Sequence, residues 1–149
     1  MTTVRDKLVG SWRMIDWVLL EGDKKLAPPL GPADQCGGLL IYSADGMMSA
    51  MLSAKDRENF TDGSIDGGTD AEKVKAYESI VCYAGSYSVD EISERVTHQV
   101  EYATLPNFVG QRLERICIFE GDDVLKLDTP EMKFGGVPRA SYILWQRVG

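Results

Sequence analysis

From residue 10 onward most of the chain alternates apolar and polar residues with period two, in short runs separated by Gly, Pro and Asp signals. Such a pattern buries one face of a strand and leaves little room for helices. Residues 10–20 (GSWRMIDWVLL) place Trp12, Met14, Asp16, Val18 and Leu20 on one face, and Ser11, Arg13, Ile15, Trp17 and Leu19 on the other. Residues 21–35 contain Gly22, Pro28, Pro29, Gly31 and Pro32 and read as a long loop. Residues 38–43 and 47–52 flank Ala44-Asp45-Gly46, a hairpin signal. Ser53 is placed to cap a short helical turn reaching Asn59, followed by a Gly/Asp-rich loop over 61–68. Thr69-Asp70-Ala71-Glu72 is a capping box that predicts a helix over 70–80 with Val74 and Tyr77 on its buried side. Strands are then predicted over 81–89, 95–103, 111–119, 124–128 and 141–148.

These are eight strands, nearly all joined to their sequence neighbours. A meander of that size removes its edges by closing on itself. The expected fold is all-β: an eight-stranded antiparallel up-and-down β-barrel with one or two short helices between the third and fourth strands, as a single domain over residues 1–149. With 44% apolar and 26% charged residues the chain can build one core. An eight-stranded interior is either filled by side chains or holds one small ligand.

Composition excludes several function classes. Sixteen basic against 23 acidic residues give a net charge of −7, a poor match for nucleic acid. No apolar run approaches the roughly 20 residues of a membrane span, so membrane insertion is not expected. The first ten residues include Arg5, Asp6 and Lys7 and lack the apolar stretch of a secretory leader, which points to a cytoplasmic protein. Cys36, Cys82 and Cys117 are odd in number and widely spaced, so they read as free thiols rather than a disulfide framework or a zinc site. With a single histidine and no GxGxxG, Walker, GxSxG or HExxH motif, neither a metal nor a cofactor is expected.

Gly10-Ser11-Trp12 on the first strand and Arg147 near the end of the last resemble the Gly-x-Trp and closing Arg of the lipocalins and wider calycins. In a closed barrel those strands are neighbours, and a cation over the indole seals one end. More specific segments resemble a small lipocalin-like domain family of bacteria and fungi that recurs beside biosynthetic genes. They are Gly38-Leu39-Leu40-Ile41-Tyr42, Asp45-Gly46, Met48-Ser49-Ala50, Tyr83-Ala84-Gly85-Ser86-Tyr87, Val96-Thr97-His98-Gln99-Val100-Glu101 and Pro106-Asn107-Phe108-Val109-Gly110, with Arg115 downstream. Leu113 stands where that resemblance implies a polar residue. The resemblance implies a calycin barrel, closed by Gly10, Trp12 and Arg147, around a small hydrophobic or aromatic molecule.

His98 is the one side chain whose ordinary pKa lies near neutrality, which makes it the natural general acid or base. It is in phase with Val96, Val100 and Tyr102, and Glu101 reaches the same site only through a bulge or at the strand's end. Asp16 shares a face with Trp12, and a buried carboxylate needs a partner such as Arg115. That pair is either structural or an anchor for a carboxylate, enol or phenol. Tyr83, Tyr87 and Tyr42 supply phenols, Met14 and Met51 supply adaptable apolar surface, and Asn107 and Phe108 are placed at a barrel mouth. The candidate catalytic set is therefore His98, Tyr83, Arg115 and Asp16, with Tyr42, Tyr87, Glu101, Asn107, Met14 and Met51 contacting a ligand. Three functions remain open. The first is a non-catalytic carrier of a small molecule. The second is a cofactor-free biosynthetic enzyme of the isomerase, cyclase, dehydratase or lyase type. The third is a filled structural barrel. A monomer or a homodimer fits each. The cavity separates them: apolar lining favours binding, His98 beside Tyr or Arg115 favours chemistry, and no cavity favours a structural role.

Overall fold

The computed structural model describes residues 2–134 and 136–149. Among these, two α-helices and nine strands follow the order α1 (Val4–Leu8), β1 (Gly10–Glu21), β2 (Lys24–Leu26), β3 (Cys36–Tyr42), β4 (Met47–Ala54), α2 (Asp70–Glu78), β5 (Ile80–Asp90), β6 (Arg95–Ala103), β7 (Arg112–Glu120), β8 (Val124–Phe134) and β9 (Val137–Arg147). All pairings are antiparallel, and β1 pairs with β9 from Trp12↔Arg147 to Leu20↔Ala140, which closes the sheet. The barrel has eight strands. The short β2, which falls inside the expected loop, only folds back on the end of β1 (Glu21↔Lys24).

One end of the barrel is plugged. Trp12 is fully buried, its indole N–H donates to the Leu8 carbonyl at 2.9 Å, and the Arg147 guanidinium lies 4.2 Å from the Trp12 ring centroid. Arg147 also donates to the carbonyls of Val9, Lys7 and Asp122, tying the last strand to α1 and to a bottom hairpin. Helix α1 starts in a capping box of Thr3 and Asp6, the same Thr-x-x-acid spacing that opens α2.

The register shifts at three places, on β1, between β5 and β6, and at Thr129/Met132 on β8, and the first two set which candidate residues face inward. Between Met14 and Asp16 the β1–β9 register shifts by one. Trp12 and Met14 face the interior below the bulge, and Trp17 and Leu19 do so above it. A continuous alternation would have kept Asp16 inside and Trp17 outside, a costly exchange of indole for carboxylate. The second shift falls between Ala84 and Gly85, opposite Glu101, so that Val100 faces inward while Tyr102 is 78% exposed. Here backbone passes close to backbone: a Cβ on Gly85 would sit 1.9 Å from the Gln99 carbonyl oxygen.

Three expectations about elements change. The helical turn from Ser53 to Asn59 does not form, because Ser53 is held in β4 between Gly37 and Ile80. Helix α2 keeps its capping box, but Val74 and Tyr77 are 56% and 50% exposed, because the helix lies across the barrel's open end rather than on its wall. Strands β8 and β9 extend past the expected ends, and β7 stops pairing with β8 at Ile116↔Asp128. No helix among the described residues is long and apolar enough to cross a membrane.

Candidate functional site: a cavity with one polar corner

The open half of the barrel encloses a cavity of about 370 Å³. That is the size range of small-molecule sites. Its walls come from inward positions of most strands: Trp17 on β1, Leu40 on β3, Ala50 and Leu52 on β4, Tyr83 on β5, Leu127 on β8, Ile143 and Trp145 on β9. The mouth is bordered by Pro29 and Leu30, by Tyr77 of α2, and by Leu105 and Phe108 of the turn Pro106–Phe108. Phe108 meets the Tyr83 ring edge-on at 6.0 Å.

The polar corner is built on three adjacent strands. His98, 1% exposed, stands on β6 between Tyr87 on β5 and Leu113 on β7. Its Nδ1 lies 2.8 Å from the Tyr83 hydroxyl and its Nε2 lies 2.6 Å from the Tyr42 hydroxyl. Tyr83 and His98 both line the cavity, whereas Tyr42 lies beneath them at 1% exposure. Burial, with the Arg115 cation acting in the same direction, lowers the pKa of His98 from 6.5 to about 3, so the ring is neutral at physiological pH. Burial raises Tyr42 well above the usual phenol range. Tyr83 is raised as well, again chiefly by burial, with the Arg115 charge opposing the rise.

Arg115 lines the same cavity and also a shallower hollow on the outside, where β7 and β8 have parted. Its Nη1 donates to the Glu114 carbonyl at 2.9 Å, and it makes no carboxylate ion pair among the described residues. Thr129 on β8 and Ser141 on β9 are buried register partners that also line the cavity. Trp145 is 2% exposed, and its indole N–H has no hydrogen-bond partner among the described residues.

The structure thus brings His98, Tyr83, Tyr42 and Arg115 together and leaves the other candidates outside the cavity. The bulge at Ile15 turns Asp16 away from it, and its Oδ1 accepts from the Trp17 backbone N–H at 2.8 Å. Glu101 is the extra residue of the β6 bulge and is exposed, so the irregularity extrudes it instead of bringing it beside His98. Asn107 is exposed, and its neighbour Phe108 takes the mouth position. Tyr87 sits toward the plugged end, donating to the Ser43 carbonyl at 2.6 Å and packing edge-on against Tyr42. Met14 is core beside Trp145 in register, and Met51 is 45% exposed on the outer wall opposite Leu39. Cys36, Cys82 and Cys117 are free thiols. Among the described residues no cluster of His, Cys, Asp and Glu is arranged to hold a metal ion.

Sequence reasoning missed Trp17, Trp145, Thr129 and Ser141. Trp145 and Ser141 were within reach, because they lie in phase with Arg147, whose inward position the closure motif requires. Trp17 was hidden by the bulge.

Two solved designed proteins resemble the chain in outline. One is a redesigned β-barrel, 10% identical with a TM-score of 0.49, the match covering 100% of this chain and 98% of that one. The other is a de novo designed fluorescence-activating β-barrel, 14% identical with a TM-score of 0.44, the match covering 99% of each. A 4'-hydroxy-3'-methoxypropiophenone carrier protein of Aspergillus oryzae is 30% identical over 88 residues, 54% of this chain and 78% of that protein. The profile of a lipocalin-like domain matches residues 9–148, which is the whole barrel and almost the whole chain. Together with the closed eight-stranded meander and the Trp12–Arg147 plug, that match places the chain in the lipocalin-like domain family.

Proposed function

We propose that the barrel is a binding protein for a small, largely apolar aromatic molecule, held with its ring between Trp17, Trp145 and Phe108 and its oxygen at the Tyr83–Arg115 corner. The observation that carries this reading is the cavity of about 370 Å³, aromatic and aliphatic on most sides with polar groups gathered at few points. A lining of that kind gives affinity through burial and orientation through a few polar contacts. The carrier of an aryl ketone among the relatives supports the same ligand class.

Titration with propiophenone, followed by quenching of the cavity tryptophans and by calorimetry, is expected to give saturable one-to-one binding. Ala50→Leu adds bulk beside Tyr83, its register partner on β5, and is expected to weaken binding roughly five- to hundredfold, as overfilling a tight site costs about 1–3 kcal/mol. Binding unchanged by Ala50→Leu would place the ligand elsewhere.

A proton-transfer enzyme is the second reading, and the Tyr83–His98–Tyr42 contacts favour it. A proton leaving Tyr83 for the ligand and replaced along that chain would end as a buried Tyr42 phenolate, which desolvation opposes. The balance therefore favours binding. If the protein turns over a carbonyl substrate, His98→Gln should lower the rate by about 100-fold or more, the lower bound for general acid–base catalysis.

A further inference from the structure

We infer that Tyr83 and Arg115 form a donor corner of the cavity that selects ligands by an acceptor oxygen, and that Tyr42, which does not line the cavity, sets this selectivity by fixing the tautomer of His98. The inference rests on the reading that the cavity holds a small molecule.

A neutral imidazole has one N–H and one bare nitrogen, so its two phenol neighbours cannot play the same role. Tyr42 is buried, and among the described residues its hydroxyl has His98 Nε2 as its hydrogen-bond partner, at 2.6 Å. A buried O–H left without an acceptor is costly, so Tyr42 donates and Nε2 accepts. The ring proton then sits on Nδ1 and is donated to the Tyr83 oxygen, 2.8 Å away. Tyr83 lines the cavity, so its own O–H is released toward the ligand. The phenol oxygen already receives one hydrogen bond and faces the Arg115 cation, both of which strengthen it as a donor.

Arg115, also in the lining, can only donate. Tyr83 and Arg115 together reward a ketone, ether or phenolate oxygen, and in this tautomer neither offers its best contact to a ligand N–H.

The sole histidine makes the tautomer directly observable, since a ¹⁵N-histidine-labelled sample gives a single imidazole pattern. The free protein at neutral pH is expected to show Nδ1–H with a bare Nε2. An Nε2–H ring or an imidazolium would overturn the proposal without any variant being made. Tyr42→Phe removes the donor to Nε2, so the tautomer is no longer fixed: the Nε2–H form should become populated, and in that form Tyr83 turns its O–H onto Nδ1. Propiophenone affinity should then fall roughly three- to tenfold, the range for one hydrogen bond, with propylbenzene affinity unchanged. Tyr83→Phe should bring the two probes to similar affinity. Equal affinity for the two probes would overturn donor selectivity while leaving small-molecule binding intact. Failure of both to bind would overturn both readings.

Discussion

His98 illustrates how a residue's chemistry is set by its neighbours. Free in solution it titrates near neutrality, but inside this barrel it is buried with the Arg115 cation nearby and protonates only near pH 3. In the unfolded chain the same ring takes up its proton below about pH 6.5. Between those values the unfolded state binds more protons, so stability falls as pH falls from about 6.5 toward 3, by about 1.4 kcal/mol per unit from this group alone. Urea unfolding between about pH 7 and about pH 4 should show that slope. His98→Gln keeps a donor and an acceptor without titrating, and its stability should decline less over the same range. Parallel slopes for the two proteins would show that His98 is not held neutral by the fold.

At the scale of elements, the bulges decide what a strand presents. The one at Ile15 exchanges Asp16 for Trp17, and the one at Glu101 keeps Val100 inside while releasing Tyr102. The second depends on Gly85, where the β6 backbone leaves no room for a side chain. Gly85→Ala is expected to destabilise the protein by about 3 kcal/mol or more, because backbone cannot yield as a flexible side chain would. Gly63→Ala, in an exposed loop with nothing within 4 Å of the added carbon, should change stability by less than about 0.5 kcal/mol. Equal effects at the two positions, measured by chemical denaturation, would remove the steric account of the bulge.

The whole molecule divides into a plugged end that holds the barrel shut and an open end that holds the cavity. Arg147 joins β9 to α1 through the carbonyls of Val9 and Lys7 while covering Trp12. Arg147→Met should cost about 2–4 kcal/mol, since several carbonyls and the indole face lose their cation together. Arg147→Lys should recover only part, because one ammonium cannot reproduce the guanidinium fork. Folded Arg147→Met should still bind propiophenone as the unmodified protein does, because the cavity lies at the other end. A large loss of affinity without loss of fold would show that the two ends are coupled.

The sequence by itself determined the strand meander and the closure by Trp12 and Arg147, and it singled out His98, Tyr83 and Arg115, which the fold gathers at one cavity. Alternation, turn residues and the scarcity of polar groups in phase with a core are local properties. It did not determine which side Asp16, Trp17, Glu101 and Tyr102 take. A one-residue slip reverses every later side chain, and whether a strand slips depends on register with partners far along the chain. Nor did it place Tyr42 under His98, 56 residues away. Only the curling of the sheet into a barrel brings Tyr42 on β3 within reach of Tyr83 and His98 on β5 and β6, across the intervening β4, and only the burial that follows makes that imidazole neutral and its tautomer a matter of two phenols.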